Sequence, residues 1–277
     1  MIGLYRRSDP PPALKRYIQA FYIADEQDVS MDIVSPPTGY PLLGIIWRGF
    51  CGAEVDDQLI SFEAKKLRHF SGQLFRKRAV VHWQHGVGHA VAEFRATGFY
   101  ELFGLSGELL INQTREVYNV HPEFDTCLAA KINSNSSPEG YLSALQNALI
   151  QQAAKICKAP AYLHKGIKMI EKANGAIRLS EVIDSCNVPA RTFHSAFKEV
   201  VGLPPKYFCR VIQFNYVGQL IVSNGYDQLA GIAAEAGFFD QAHFSRAFQE
   251  FAAQSPYAFF EGDEVNLSTF IRLVDAT

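Results

Sequence analysis

The chain has no long apolar run, no surplus of either charge and few cysteines. Within its 277 residues there is no stretch of about eighteen uncharged apolar residues, which argues against a membrane-spanning helix. Lys and Arg number 26 against 28 Asp and Glu, a net charge of −2. Bulk charge therefore offers no polyanion partner, and any nucleic-acid contact must come from a local patch. The five cysteines (Cys51, Cys127, Cys157, Cys186, Cys209) are scattered, odd in number and without paired spacing. They read as reduced thiols of a cytoplasmic protein, not as a disulfide framework. The opening MIGLYRRSDPPPALKRY has early arginines but neither an apolar stretch nor a small-residue cleavage site, so no signal peptide is expected. No G-x-S-x-G, Walker loop or dinucleotide fingerprint occurs. Catalysis has no visible carrier, and no cofactor is expected.

What is present suits a globular protein of one large or two ordinary domains: 48% of residues are apolar and 19% charged. Residues 1–132 read as a β-rich domain with helices. SPPTGYPLLGIIWRGF places turn residues before an apolar run, Leu42 to Trp47, that suits a strand. AVVHWQHGVGHAVAEFRATG is β-branched and aromatic but interrupted by Gly86, Gly88 and Gly98. That rhythm predicts several short strands joined by turns, in a barrel or sandwich. His82, His85 and His89 invite a metal site. Strand alternation, however, sets His85 and His89 opposite His82, and Glu93 is the nearest carboxylate, so no metal is expected. Aromatic side chains such as Tyr40, Trp47, Phe70 and Trp83 either form plain core or line a pocket for an apolar effector.

Residues 133–160 read as a connecting segment. NSNSSPEG is small and polar, and Ser137 followed by Pro138 makes a capped helix start. In the helix that follows, Leu142, Leu145, Leu149, Gln152 and Ile156 align along one stripe. The stripe either packs on a neighbouring domain or forms a short homodimer seam.

After Pro160 the texture becomes helical, with segments predicted near 162–173, 179–186, 190–201, 204–222, 228–236 and 241–251. Within them lies a repeat. FHSAFKEVVGLPPKYF from Phe193 returns fifty-one residues later as FSRAFQEFAAQSPYAF from Phe244. The echo extends backward, Leu179, Val182, Ile183 and Cys186 answering Leu229, Ile232, Ala233 and Ala236. Each unit is a short helix, a turn (NVPA or GFFDQ) and a second helix. Phe193 and Phe197, or Phe244 and Phe248, lie on one face of that second helix and must be buried, which leaves a polar face free. The intervening PPKYFCRVIQFNYVGQLIVS predicts a strut of about 28 Å. Two reading helices so held suit successive major grooves about 34 Å apart.

IAAEAGFFDQAHFSRAFQEFAAQSPYAFF resembles the C-terminal signature of the AraC/XylS transcription regulators. Ile232, Ala233, Gly237, Phe238, Asp240, His243, Phe244, Arg246, Phe248, Ser255 and Pro256 stand where that pattern wants them. The resemblance covers about residues 160–260. PPALKRYIQAFYI, SPPTGYPLLGIIW and EFRATGFYELFGLSGELLINQTREV also resemble effector domains attached to such modules. The implied fold is a two-domain α+β protein, with residues 161–260 an all-α DNA-binding domain carrying two helix-turn-helix units; the tail 261–277 stays unassigned. By position the resemblance implies base-edge contacts from Arg191, His194 and Ser195, and from Gln241, Ala242, Ser245 and Arg246. Arg suits guanine and Gln adenine. Lys198, Lys206 and Arg210 suit phosphates. Asp240 reads as a helix N-cap. His243 either packs against the preceding helix or touches the DNA backbone.

Three positions depart from the family pattern. Ser195 stands where an arginine is usual and Pro189 where a serine cap is usual, so most sequence discrimination is expected from the second unit. Ala253 replaces a helix-ending glycine that Gly202 keeps in the first unit. Residues 161–260 hold nine basic and eight acidic side chains, so placement matters more than sum. The expected function is sequence-specific transcription regulation, activation more than repression. Expected partners are double-stranded promoter DNA, RNA polymerase and a small-molecule effector, with a homodimer left open. The alternatives are control by a regulatory protein (an anti-activator) and, remotely, a DNA-repair regulator that accepts alkyl groups on cysteine. A cavity among the N-terminal aromatics would support the small molecule; a solid core would support the protein partner.

Overall fold

The structure, a computed structural model, describes residues 4–55, 58–62, 67–132, 137–224, 229–238 and 241–252, together with 255, 256 and 258. An antiparallel sheet occupies the N-terminal region and helices the C-terminal region, the expected α+β division. The strands are β1 (Arg6–Ser8), β2 (Ile18–Glu26), β3 (Met31–Ser35), β4 (Leu42–Val55), β5 (Gln58–Phe62), β6 (Leu67–Ser71), β7 (Ala79–Phe94) and β8 (Thr114–Glu116). They are ordered β1-β2-β7-β4-β6-β8, with β3 also on β7 and β5 also on β4.

The two longest strands pair with each other, and each serves two further partners. β7 pairs with β3 through Ala79–Trp83 and with β2 through Val87–Phe94. β4 pairs with β6 through Leu42–Ile46 and with β5 through Cys51–Val55. The glycines of 79–94 therefore do not end a series of short strands, as the sequence rhythm suggests; one strand runs through them. His85 (φ 60°) and Gly86 (φ 101°) make a bulge, which bends a strand without ending it. Opposite it β4 bulges between Ile46 and Phe50, so close that a Cβ on Gly49 would lie 1.9 Å from the Gly86 carbonyl oxygen.

One face of this bent sheet is covered by α1 (Gly98–Phe103), α2 (Val117–Val120), α3 (Pro122–Ala129) and α4 (Pro138–Gln152). Phe70 is the hub, meeting Phe99 and Phe103 edge-on at 5.3 and 5.1 Å. Ser137 caps α4, accepting from the Gly140 N–H at 3.1 Å, as its sequence predicts. The α4 stripe turns inward: Leu145 and Leu149 are fully buried, and Gln152 donates to the Leu102 carbonyl at 2.7 Å. The stripe is thus consumed within the chain, the packing alternative and not the seam.

The C-terminal helices are α5 (Ala161–Lys172), α6 (Leu179–Cys186), α7 (Ala190–Val201), α8 (Pro205–Asn224), α9 (Leu229–Glu235) and α10 (Gln241–Ala252), within two residues of the predicted segments at each end. Their shared core holds the repeated phenylalanines together with Phe208, Phe214 and Val217. Residues 133–136 and 261–277 lie outside the described residues.

Candidate nucleic-acid interface

Helices α6–α7 and α9–α10 form two helix-turn-helix units. Phe193, Phe197 and Phe248 are 0% exposed and Phe244 is 1% exposed, so each second helix is anchored by the predicted pair. Burying two phenylalanines supplies about 3–6 kcal/mol per helix, enough to hold a polar face outward. Both turns leave the first helix through a left-handed residue, Asn187 (φ 57°) in one unit and Gly237 (φ 79°) in the other. Pro189 precedes α7 without a side-chain cap, and Gly202 (φ 89°) ends it in the left-handed conformation, its N–H donating to the Lys198 carbonyl. Asp240 and Ala253 lie outside the described residues.

On the outward face of α7, Arg191, His194, Ser195 and Lys198 are all exposed, and Lys206 is exposed at the start of α8. On α10, Ala242 and Arg246 are exposed and Ser245 is half-buried; the side chains of Gln241 and His243 lie outside the description. Two of the cations are already engaged. Arg210 makes a forked pair with Glu250 at 2.9 and 2.6 Å and lies 5.4 Å from the centre of the Phe251 ring. Lys198 pairs with Glu108 of the N-terminal region at 2.6 Å. Between the units, α8 runs 20 residues, about 30 Å at 1.5 Å per residue.

The C-terminal end of α7 is docked on the N-terminal region. Val200, Val201, Gly202 and Leu203 are all buried. The 3-10 turn Gly107–Leu110 meets this end backbone to backbone, and a Cβ on Gly107 would lie 2.7 Å from the Gly202 nitrogen. The Ser106 hydroxyl donates to the Glu199 carbonyl at 3.1 Å. Gln73 Nε2 donates to the Val201 carbonyl at 2.6 Å. Just beyond, the Arg76 N–H donates to the Tyr207 hydroxyl at 3.0 Å, and Phe75 meets the Tyr207 ring edge-on at 4.8 Å. Ser106, Gly107 and Glu108 lie in the stretch Glu93–Val117 that resembles effector domains, but nothing in that resemblance marks them as a contact, and Gln73 belongs to no motif or periodic stripe.

The same Gln73 lines a cavity of about 160 Å³ on the sheet face turned away from α1–α4. Its apolar wall includes Ile33, Ile46, Val81 and Trp83. At its polar side, His69 Nε2 and His89 Nε2 are 3.2 Å apart, His69 Nδ1 meets the Ser71 hydroxyl at 3.1 Å, and His89 Nδ1 meets the Tyr5 hydroxyl at 2.8 Å. Gly44 makes room for this pair, since a Cβ there would stand 2.4 and 2.5 Å from the two Nε2 atoms. Burial lowers the His69 pKa to about 4, so the imidazole is neutral at physiological pH. Cys51, also at the wall, has its thiol pushed up to about 12 by burial, far from a reactive thiolate. The N-terminal aromatics divide as both expectations allowed: Tyr40 and Trp83 line the cavity, whereas Phe21, Phe70 and Phe94 are core. His82 turns instead to Asp32 and Glu54, at 2.6 and 3.4 Å. Among the described residues no group of three His, Cys, Asp or Glu side chains is placed to hold a metal ion, and no helix is long and apolar enough to cross a membrane.

No curated protein matches this chain. Residues 183–262 match the model of a helix-turn-helix domain family. Across both regions the fold is similar to that of ToxT from Vibrio cholerae, at TM-score 0.50 and 11% identity over 87% of this chain and 98% of that one. A second ToxT structure, bound to (E)-4-(8-methylnaphthalen-1-yl)but-3-enoic acid, aligns at TM-score 0.50 and 11% identity over 90% and 97% of the two chains. With two phenylalanine-anchored units and a family match spanning the second, the C-terminal region of this chain is a helix-turn-helix domain, and its second unit carries the residues by which it resembles the AraC/XylS pattern.

Proposed function

We propose that this protein is a transcriptional activator that binds promoter DNA through α7 and α10 and responds to a small molecule held in the N-terminal cavity. The observation that carries the reading is the duplicated helix-turn-helix: buried phenylalanines fix each second helix, and charged or hydrogen-bonding side chains stand outward on it. Arg191, His194, Ser195, Gln241, Ala242, Ser245 and Arg246 are the proposed base-reading set. Lys198 and Lys206 are the proposed phosphate contacts, with Arg210 and His243 joining them at the backbone. Only Arg and Gln among these have the paired donors or acceptors that discriminate bases strongly. The cavity supports a small-molecule effector over a protein partner, because the N-terminal core is not solid and a residue of its wall touches the end of α7. The ligand-bound ToxT structure points the same way by fold alone.

The experiment is genome-wide mapping of bound DNA, followed by affinity measurements on the recovered site. Arg246→Ala should cost about 1–3 kcal/mol and relax discrimination at one base pair. Lys206→Ala should weaken all sequences alike and flatten the salt dependence by about one. Unchanged promoter selection in Arg246→Ala would remove α10 as the reading helix.

A further inference from the structure

A second cavity, of about 250 Å³, lies where the two regions meet. β2 and the end of β7 supply its N-terminal side, α5 and α8 its C-terminal side. Its chemistry is unlike that of the sheet cavity, where no described lining residue is Lys, Arg, Asp or Glu. Here Glu93, Arg95 and Glu171 line the space, together with the amides of Gln19 and Asn174.

Charges of opposite sign around one space ordinarily pair, and these do not. Arg95 donates through Nε to the Lys15 carbonyl at 2.8 Å, while its two terminal amines neither bond another described residue nor are enclosed. Glu171 is held by one oxygen: Oε1 accepts the Tyr40 hydroxyl at 3.0 Å, and Oε2 is open, with no donor among the described residues. The guanidinium still acts electrostatically on both Glu171 and Tyr40, so it lies within reach of their side of the cavity. Burial nevertheless pushes the Glu171 pKa up, the mark of a carboxylate short of positive charge. Glu93 is 3% exposed and already accepts the Tyr22 hydroxyl at 3.2 Å. Counted as ionised, two carboxylates against one guanidinium leave the wall one negative charge in excess.

We propose that this junction is a second ligand site and that it takes a zwitterion of the α-amino acid class, with its carboxylate on the Arg95 terminal amines and its ammonium on Glu171 Oε2. The guanidinium fork suits a carboxylate, and charge-assisted bonds at both ends are the strong kind. An anion alone would face two carboxylates, and a cation alone would leave Arg95 unmatched. The excess negative charge further disfavours acidic side chains. A cavity of ~150 Å³ holds the six carbons of benzene, so this one has room for roughly ten non-hydrogen atoms. The site is distinct from the effector cavity proposed above and stands without the regulator reading; only its effect on DNA rests on that reading. Tyr40 links the two, because it lines both cavities and meets Phe208 of α8 edge-on at 6.2 Å. A guest that bridges Arg95 to Glu171 ties the end of β7 to α5 and so fixes the two regions against each other.

The test uses the full chain and the coded L-α-amino acids, each offered singly in calorimetry, then the amide and the N-acetyl derivative of the tightest. The tightest should have an uncharged or basic side chain, and Asp and Glu should bind weakest. The amide lacks the carboxylate and the N-acetyl derivative lacks the ammonium; each should bind at least about tenfold more weakly than the parent. Hydrogen exchange should slow at residues 93–95 and 171–174 when the ligand is bound. Arg95→Gln should level amide and parent, Arg95→Lys should restore part of the difference, and Glu171→Gln should remove most of the preference for a free ammonium. DNA affinity, read by fluorescence anisotropy on a random-sequence duplex at low salt, should change when the ligand is added. The derivative series and the exchange map use the unmodified chain and decide the matter even if a variant does not fold. No binding by any amino acid, full binding by either derivative, a preference for Asp or Glu, protection confined to the sheet cavity, or a carboxylate preference that survives Arg95→Gln would each overturn the assignment. Selective binding with unchanged DNA affinity would uphold the site and refute its link to the reading helices. Selective binding by a chain that binds no DNA at all would uphold the site and sink the regulator reading instead.

Discussion

Lys198 is a proposed phosphate contact, yet it is paired with Glu108 at 2.6 Å, and the two side chains are 50% and 47% exposed. To reach DNA, Lys198 must leave that partner. Half-exposed pairs of this kind are worth about 0.2–1 kcal/mol after solvent screening. Glu108→Gln removes that cost and should tighten DNA binding by about 1.5- to 5-fold, while changing unfolding free energy by no more than the pair itself. Lys198→Ala should lower the slope of log K against log salt by about 0.9, one phosphate contact. The informative measurement is the double-mutant cycle, with anisotropy titrations at several KCl concentrations for the parent, each single variant and the pair. If Lys198 is the route, Glu108→Gln has no effect once Lys198 is alanine. A gain of equal size in both backgrounds would refute the reasoning, because Glu108 would then repel DNA directly. Weaker binding by Glu108→Gln would refute it as well, since the pair would be orienting Lys198 and not sequestering it.

Three further outcomes follow from the geometry. Gly202→Ala forces a side chain onto φ 89° and sets its Cβ 2.7 Å from the Gly107 carbonyl oxygen; it should cost at least about 1–2 kcal/mol in urea melts and alter DNA binding together with stability. Gly44→Ala drives a methyl into both imidazoles and should cost about 1–3 kcal/mol while reducing uptake of any cavity ligand. The depressed pKa of His69, about 4 against 6.5 for the ordinary group, gives a pH signature. Between those values the unfolded chain binds a proton that the folded chain refuses. The contribution of this site to stability is whole above about pH 6.5 and falls as pH drops toward 4, by on the order of 3 kcal/mol at most. His69→Asn should flatten that window in chemical denaturation curves.

The C-terminal half was legible because its information is local. Phe193, Phe197, Phe244 and Phe248 recur at helical spacing, and Asn187, Gly202 and Gly237 mark where the chain must turn. The cavity was not legible, because strand alternation sends its wall residues in from several strands, and each alone looks like core. The histidines illustrate the difficulty. His82, His85 and His89 are neighbours in sequence, but the bulge at Gly86 separates them, and the partner of His89 is His69 from another strand. Gln73 and Glu108 gain their meaning only from α7, whose Val201 is 128 residues from Gln73 and whose Lys198 is 90 residues from Glu108.

Two copies of one device need not share one duty. The helix from Ala190 is moored at its rear to the sheet domain through Gly107 and Gln73, whereas the helix from Gln241 packs on its own neighbours, α8 and α9. Duplication has in this way separated tether from probe. On the proposed reading, drift in the few residues around Gly107 would retune the response to an effector while leaving the outward face of α10 intact.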